Sequence, residues 1–443
     1  MNCHHVFPEI KRLERKYAKE LVVISVHSAK FTNEKDTENI RQAILRHDLE
    51  HPVVNDADFK IFRAYGAQGW PHFVLIDPEG NIVGHASGEG NYDVLAHAID
   101  GLIRKFEGKI DRTPRTFVLE KSKLAAGPLF FPAKLVATPD RLYISDTRHN
   151  RIVIADPTGK VHDVIGGPDE GWKDGDFRTA RFHQPHGLLL RGRTLFVADT
   201  ENHRIREVDL ESRRVRTIAG TGEQRYNPRG FGEALQTPLN SPWDFALDGD
   251  RLFIAMAGNH QIWAMDLAEG KIGRFSGSGR EQLRDGDHRT AAFNQPSGLT
   301  ILNGKLYVAD SEVSGIREVD LDPAGGVRTI VGTGLFDFGD RDGKGPEVRM
   351  QHVLAVHAWN GKLYVADAYN HKIKVCDPET REVRTFLGDG KRGREDGKNP
   401  RFYEPSGLWA VNDLLYVADQ NNHAIRRYDA RTGEVTTVPV EKR

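Results

Sequence analysis

The chain has 443 residues, with 62 basic and 63 acidic side chains and a formal net charge of −1. This balance provides no overall positive field that would favour nucleic acid, and no apolar stretch in the sequence approaches the roughly twenty residues of a membrane span. The two cysteines of the sequence exclude a small secreted scaffold held together by disulfides.

The first 107 residues alternate predicted helices with predicted strands. An amphipathic pattern at Val6, Ile10, Leu13 and Tyr17 predicts a helix, and the apolar run 21–26 predicts a buried strand. Three further helices are predicted: one over 35–47, one that ends near 65–66 and one over 92–106. Strands are predicted at 52–54, 73–76 and 81–84. This alternation is typical of an α/β sandwich.

A phrase of fifteen residues recurs six times between residues 132 and 443. It reads Leu-Tyr-Val-Ala-Asp, then a short polar turn that often contains Asn-His, then Ile-Arg-x-x-Asp. The copies start 52 to 57 residues apart, at Leu142, Leu195, Leu252, Leu306, Leu363 and Leu415. Each copy predicts a hairpin, a segment led by proline predicts an inner strand before it, and a third segment predicts an outer strand after it. Four strands in each of six contiguous repeats predict a six-bladed β-propeller.

An irregular linker is predicted between the two parts, over 108–131. It contains Pro114, Gly127 and Pro128 and one short strand candidate, 116–119. That strand is a candidate for reinforcing the closure of the propeller ring.

Two motifs in this sequence resemble known families. The segment 70–80, Trp-Pro-His-Phe-Val-Leu-Ile-Asp-Pro-Glu-Gly, resembles the cis-proline strand and following hairpin of thioredoxin-like proteins. Asn-His inside the repeated phrase resembles the NHL repeat. The combination is similar to the NHL repeat-containing protein 2 family over nearly the whole chain. The predicted fold class is therefore an α/β thioredoxin-like domain over 1–107, followed by an all-β six-bladed NHL β-propeller over 132–443.

The resemblance implies a Cys-x-x-Cys turn, in which the N-terminus of a helix lowers the pKa of the attacking thiol and the second cysteine resolves the mixed disulfide. Cys3 stands in the resolving position, directly before the first predicted helix. The first cysteine would then precede Met1, and the central strand of the sheet would be missing from this chain. We therefore expect Met1 to be an internal methionine, and we do not expect this chain alone to cycle as a dithiol oxidoreductase.

Other residues of interest follow from the same resemblance or from their place in the repeat. Trp70 and Pro71 are expected to lie opposite the cysteine turn and to position the backbone of a substrate. Cys376 lies in the middle of a predicted strand, where a thiol usually acts as a small buried hydrophobe.

The repeated histidines do not predict a metal site, because the symmetry of the ring would hold them apart whereas metal ligands must converge. These residues are His203, His260, His371 and His423. We expect the Asn-His pairs to shape each hairpin turn and to bond to the neighbouring backbone, together with repeat aspartates such as Asp199. The recurring Asp-Gly pairs are expected to act as turn residues, at Asp174, Asp285, Asp342 and Asp396. Neither a metal nor a cofactor is predicted.

Candidate binding residues lie where the repeats disagree. Just after the proline, at the mouth of the central channel, Lys134, His186, Trp243 and Asp244 break a pattern of small residues. We expect them to line a polar, aromatic pocket that contacts a ligand or partner. The long loops 223–239 and 335–350 flank the same face, and they add Tyr226, Arg229, Phe336 and Phe338.

These features leave two classes of function open. In the first, a thioredoxin-like module acts in thiol–disulfide exchange on partners that the propeller recruits, with enzymatic activity confined to a longer form of the protein. In the second, the protein is a non-catalytic binding scaffold. A propeller enzyme with a site at the channel mouth is a weaker third alternative, since no set of acid, base and metal ligands stands out. The expected partners are proteins or peptides, the expected location is cytoplasmic, and the sequence does not indicate an oligomeric state.

Overall fold

The computed structural model describes residues 2–113, 115–123, 127–225 and 230–442. The chain folds as two compact units, Met1–Ala125 and Ala126–Arg443, and the division between them lies within the predicted linker. Each unit has a hydrophobic core of its own.

The first unit is built from helices and short strands. Its helices are α1 Asn2–Lys16, α2 Thr37–His47, α3 Lys60–Ala64 and α4 Tyr92–Lys105, and its strands are β1 Ser25–His27, β2 Val53–Asn55, β3 His72–Ile76 and β4 Ile82–Ser87. Leu13 of α1 and Tyr17, which directly follows α1, pack against Ala96 and Ile99 of α4, because the apolar residues of each helix recur on one face. The predicted α/β alternation is confirmed.

The sheet of the first unit is in two parts. β1 pairs in parallel with β2, β3 pairs antiparallel with β4, and no strand among the described residues joins the two pairs. The predicted extent of the first strand is wrong, because only Ser25–His27 of that region is a strand. Val22 and Ile24 lie outside it and are 52% and 58% exposed. Because the strand preference of β-branched residues depends on their cross-strand neighbours, composition alone predicted too long a strand here.

The second unit is a six-bladed β-propeller. Blade 1 comprises β5 Pro132–Ala137, β6 Leu142–Asp146, β7 Arg151–Ala155 and β8 Val161–Gly166. Blade 2 comprises β9 Gly175–Asp176, β10 Pro185–Arg191, β11 Thr194–Asp199, β12 Arg204–Asp209 and β13 Arg214–Ala219. Blade 3 comprises β14 Phe231–Glu233, β15 Pro242–Asp248, β16 Arg251–Met256, β17 Gln261–Asp266 and β18 Lys271–Ser276.

The remaining blades repeat this plan. Blade 4 comprises β19 Gly286–Asp287, β20 Pro296–Leu302, β21 Lys305–Asp310, β22 Gly315–Asp320 and β23 Gly326–Val331. Blade 5 comprises β24 Gly343–Lys344, β25 Val353–Trp359, β26 Lys362–Asp367, β27 Lys372–Cys376 and β28 Glu382–Leu387. Blade 6 comprises β29 Pro405–Val411, β30 Leu414–Asp419, β31 Ala424–Asp429 and β32 Glu434–Val438.

Each blade takes its four main strands from consecutive residues, as predicted. The four strands pair antiparallel from the inner strand to the outer strand, and the inner strand begins with proline in every blade except blade 5. The short strands β9, β14, β19 and β24, which were not predicted, add a fifth strand along the outer strand of blades 2 to 5.

The predicted closing strand 116–119 is wrong. These residues belong to the first unit, form no strand, and include Val118, whose side chain is 81% exposed. The ring closes instead between blade 6 and blade 1. Glu441 N–H donates to Gly159 O at 2.9 Å, and Ser406 Oγ donates to Ala133 O at 2.8 Å.

The turn between the second and third strands of each blade links that blade to the next. His203 Nδ1 accepts the backbone N–H of Ser241 at 3.1 Å, and His203 itself has a left-handed backbone with φ of 50°. The same bond to the following blade is made by His260, His371, His423, Asn150 and Ser314. The prediction that the Asn-His pairs shape the turns and bond to the neighbouring backbone is confirmed.

The repeat aspartate anchors an arginine inside the blade. Asp199 accepts from Arg206 at 2.8 Å and from the N–H of His183 at 2.8 Å. Arg206 also donates to Asp174 at 2.8 Å, and Asp174 accepts from Thr217 at 3.0 Å. The expectation that the Asp-Gly pairs are turn residues is therefore wrong for Asp174, which binds a buried arginine while the adjoining glycine lies in β9. Blades 4 and 6 repeat the set with Arg317, Asp310 and Asp285, and with Arg426, Asp419 and Asp396.

Candidate partner-binding site

The inner strands of neighbouring blades approach closely just after their first residues, where the mouth of the channel is predicted. A Cβ atom added to Gly187 would lie 2.7 Å from Asp244 Cα, and one added to Gly407 would lie 2.9 Å from Lys134 Cα. The small residues of the pattern are therefore required by the contact between backbones. At the position that these glycines occupy in the repeat, blades 1 and 3 carry the charged residues Lys134 and Asp244.

Lys134 reaches across the ring from blade 1. Its Nζ donates to Asp244 Oδ2 in blade 3 at 3.2 Å, to Ser297 O in blade 4 at 2.9 Å and to Leu354 O in blade 5 at 2.7 Å. Each of the three N–H donors of the ammonium group thus has an acceptor. Burial lowers the pKa of Lys134 and raises the pKa of Asp244, and the opposite charge of the partner counteracts both shifts.

His186 and Trp243 form the second contact at the mouth. Their ring centroids are 4.2 Å apart, and His186 Nδ1 donates to Gln184 O at 2.9 Å. Trp243 is partly buried against the core between blades 3 and 4. The structure therefore brings the four predicted residues together as an ion pair and a pair of rings, joined at the consecutive residues Trp243 and Asp244. Their role in binding remains a prediction.

The loops that lead into the inner strands carry exposed aromatic side chains. Phe336 is 70% exposed, and Phe338 is partly exposed. Tyr226 and Arg229, which were also predicted for this face, lie outside the described residues. Trp172, in the corresponding loop between blades 1 and 2, was missed; it is 57% exposed and its ring lies 4.0 Å from the guanidinium carbon of Arg204.

A further ring pair on the inner strands was also missed. The rings of His357 in β25 and Trp409 in β29 lie 4.9 Å apart, near the ends of these strands that are remote from the mouth. Burial lowers the pKa of His357 to about 4, so that this imidazole is neutral at physiological pH. The signal in the sequence was weak, because these aromatic residues do not recur from blade to blade.

In the first unit, Cys3 lies in the first turn of α1 and is partly exposed. The Trp70–Pro71 peptide bond is cis, and the Trp70 ring, 39% exposed, lies 5.4 Å from the ring of Phe62. The roles of Cys3, Trp70 and Pro71 stay predictions. Cys376 is fully buried, and burial raises the pKa of its thiol to about 12.

The described part of the chain was also searched for metal and membrane features. In it, no group of three or more His, Cys, Asp or Glu side chains is arranged to hold a metal ion. None of the helices described there has the length and apolar character needed to cross a membrane.

Known proteins resemble both units. The family described as Thioredoxin-like matches residues 1–82. NHL repeat-containing protein 2 of Homo sapiens is 40% identical over 483 aligned residues, which cover 99% of this chain and 66% of that protein. Protein SUPPRESSOR OF QUENCHING 1, chloroplastic, of Arabidopsis thaliana is 42% identical over 460 residues, covering 98% of this chain and 44% of that protein. Thiol-disulfide oxidoreductase YkuV of Bacillus subtilis is 21% identical over 105 residues, covering 24% of this chain and 71% of that protein.

The chain spans less than two thirds of the human relative and less than half of the Arabidopsis relative. The name of the Arabidopsis protein places it in the chloroplast, and the cytoplasmic location of this protein stays a prediction. The thioredoxin-like match falls on the first unit, and the two long matches cover both units. The chain belongs to the thioredoxin-like, NHL-repeat β-propeller proteins, the family of NHL repeat-containing protein 2.

Proposed function

We propose that this protein is a protein-interaction scaffold whose propeller binds a polypeptide partner at the channel mouth. The observation that carries the proposal is that Lys134 directs its ammonium group to three oxygen atoms of the propeller itself, at 2.7 to 3.2 Å. A catalytic acid or base must be available to the substrate. A lysine and an aspartate engaged with the protein in this way favour recognition over a propeller enzyme.

The groups that remain at the mouth suit a polypeptide. Trp243 is partly exposed beside His186, and Phe336 and Trp172 are exposed on the loops that lead to the inner strands. Tryptophan and other aromatic side chains provide large contact areas and are enriched at the centres of protein interfaces. The formal charge of −1 supports a protein partner rather than a nucleic acid.

Photo-crosslinking from defined positions tests this proposal. A photoreactive phenylalanine analogue replaces Trp243 or Phe336, and in a matched control it replaces Asn303, an exposed turn residue at the opposite end of the inner strand β20. We expect the same protein to be crosslinked from positions 243 and 336 and not from position 303. The crosslinked protein is then purified, and its Kd for the unmodified chain is measured.

The decisive measurement is the effect of Trp243→Ala on that Kd. Removing a central aromatic contact costs about 2 kcal/mol or more at an interface hot spot, a weakening of roughly 30-fold. An equal Kd for the Trp243→Ala and wild-type chains, or equal crosslinking from position 303, would exclude the mouth as the binding site.

A second function, thiol–disulfide exchange, is favoured by Cys3 at the start of α1. The N-terminus of a helix stabilises a thiolate, and the similarity of the first unit to a protein named as a thiol–disulfide oxidoreductase supports this function. The Cys3 thiolate would attack a disulfide, so that the old S–S bond breaks, a new one joins Cys3 to one sulfur, and the other sulfur leaves as a thiolate.

Incubation with glutathione disulfide tests this second function. We expect mass spectrometry to find one glutathione adduct per chain, at Cys3, and none at the fully buried Cys376. Cys3→Ser should abolish the adduct, and Cys376→Ser should leave it unchanged. No adduct at Cys3 would leave the purely non-catalytic scaffold as the function of both units.

A further inference from the structure

The centre of the propeller contains a set of oxygen atoms arranged around one positive charge. The set consists of Asp244 Oδ2, Ser297 O and Leu354 O, which belong to three different blades and lie 2.7 to 3.2 Å from Lys134 Nζ. Lys134 itself belongs to blade 1, which contributes none of these oxygens, and is 5% exposed. Carboxylate and carbonyl oxygens are the ligands that hard cations prefer in proteins.

The packing of the inner strands explains why one side chain occupies this place. Cβ atoms added to Gly187, Gly298 and Gly407 would lie 2.6 to 2.9 Å from backbone atoms of the neighbouring inner strand. Side chains at these positions are therefore excluded, and the inner strands meet backbone to backbone. The side chain of Asp244 is only 13% exposed, and a carboxylate that is largely removed from water is costly without a cation beside it.

We propose that the centre of the ring is a cation-binding site that the ammonium group of Lys134 occupies. When the lysine side chain is removed, this site takes a primary alkylammonium ion instead. The Lys134 ammonium group holds blades 3, 4 and 5 to blade 1, as a bound ion would. This role goes beyond partner binding at the mouth, and it depends on the propeller alone.

Chemical rescue of Lys134→Ala tests the proposal. The substitution removes three methylene groups and the ammonium group, which together match n-propylammonium in shape and charge. We expect the Tm of the variant to fall by about 5–10 °C, because the substitution leaves the largely buried carboxylate of Asp244 without its partner. Added n-propylammonium should raise the Tm of the variant in a saturable manner, and it should leave the wild-type Tm unchanged.

Two controls separate the site from general effects of the additive. n-Propanol has a similar shape without the charge, and Lys305→Ala removes a lysine that is 38% exposed and paired with Asp320. Neither propanol on Lys134→Ala nor propylammonium on Lys305→Ala should raise the Tm. An unchanged Tm in Lys134→Ala, or a rescue by propanol equal to that by propylammonium, would overturn the proposal.

A second variant keeps the test decisive if Lys134→Ala does not fold. Asp244→Asn preserves the shape of the side chain and removes one ligand charge, so we expect a smaller fall in Tm than for Lys134→Ala. A Tm equal to that of the wild type would show that the carboxylate contributes nothing to the site. Since all readouts are thermal and need no partner, a failure here is distinct from a failure of partner binding at Trp243.

Discussion

Blades 3 and 4 carry different pairs of buried side chains at the same two positions of the repeat, an ion pair in blade 4 and an uncharged pair in blade 3. In blade 4, the buried Asp310 accepts from the buried Arg317 at 3.1 Å. In blade 3, the corresponding residues are Met256 and Trp263, also buried, and the indole N–H of Trp263 donates to Gln261 at 2.9 Å. The strand order and register of the two blades agree. The comparison teaches that the fold requires a matched pair at this place rather than a charge, as is known for other buried ion pairs.

Breaking the charged pair should have the largest effect. Arg317→Met leaves the buried Asp310 carboxylate without its partner, and we expect the free energy of unfolding to fall by about 3–5 kcal/mol. Urea unfolding measures this loss. In the control Arg328→Met, the arginine removed is 59% exposed and paired with Glu318, and the loss should be below about 1 kcal/mol.

The double substitution Asp310→Met with Arg317→Trp sharpens the same comparison. It installs the pair of blade 3 in blade 4, so it should cost less than Arg317→Met alone despite changing two buried residues. A double variant that is less stable than the single one would show that the apolar pair depends on other features of blade 3.

Placing a charge in blade 3 should have the next largest effect. Met256→Asp buries a carboxylate opposite an indole, and we expect a loss of about 3 kcal/mol in the free energy of unfolding, measured in urea. Adding Trp263→Arg should recover part of the loss by restoring the opposite charge. If Met256→Asp were as stable as the wild type, the requirement for a matched pair would be wrong.

Blade 5 provides a test through pH, because a lysine replaces the arginine there. Lys374 Nζ lies 3.8 Å from Asp367, and burial raises the pKa of Asp367 to about 7. A raised pKa means that the folded state holds the proton more tightly than the unfolded state. The contribution of Asp367 to stability is thus complete below its unfolded pKa, about 4, and is lost as the pH rises through about 7.

Urea unfolding as a function of pH measures this contribution. The free energy of unfolding of the wild type minus that of Asp367→Asn should decrease between about pH 4 and about pH 7. Asp320→Asn is a control of opposite sign, because the hydrogen bond from Lys305 lowers the pKa of Asp320. The contribution of Asp320 is present above pH of about 4 and is lost as the pH falls. A difference for Asp367→Asn that is independent of pH would contradict the raised pKa.

The smallest effect is expected when a neutral hydrogen-bond acceptor between two blades is replaced. His423→Ala removes the acceptor for the N–H of Phe131, and we expect a loss of about 1 kcal/mol, measured by thermal unfolding. His423→Asn should cost less, since Asn150 makes the same bond to the next blade at 2.9 Å. Equal losses for the alanine and asparagine variants would show that the bond between blades is not the source of the effect.

Much of the propeller could be predicted because six copies of one phrase repeat the same strand pattern and the same turn. The contacts of Lys134 could not, since two of its three acceptors are backbone carbonyls, which every residue carries. The link between Arg206 and Asp174 was missed for a different reason. The two residues are 32 positions apart, and an Asp-Gly pair has a sufficient local explanation as a turn.

The two errors in strand prediction have one physical cause. Residues 21–24 and 116–119 have the apolar, β-branched composition of strands, yet neither forms one. A strand exists only with a partner, and composition does not identify that partner. Lys134 and Asp244 were selected from the sequence because they stood out against the small residues of the other blades, and their role in binding stays a prediction.

The closure of the ring gives the propeller a seam. Blade 6 meets blade 1 through the bond from Phe131 to His423, the bond from Ser406 to Ala133 and the bond from Glu441 to Gly159. Because each blade takes its main strands from consecutive residues, this seam can part while all six sheets remain intact. We expect the amide hydrogens of Phe131 and Glu441 to exchange with solvent before those inside the blades.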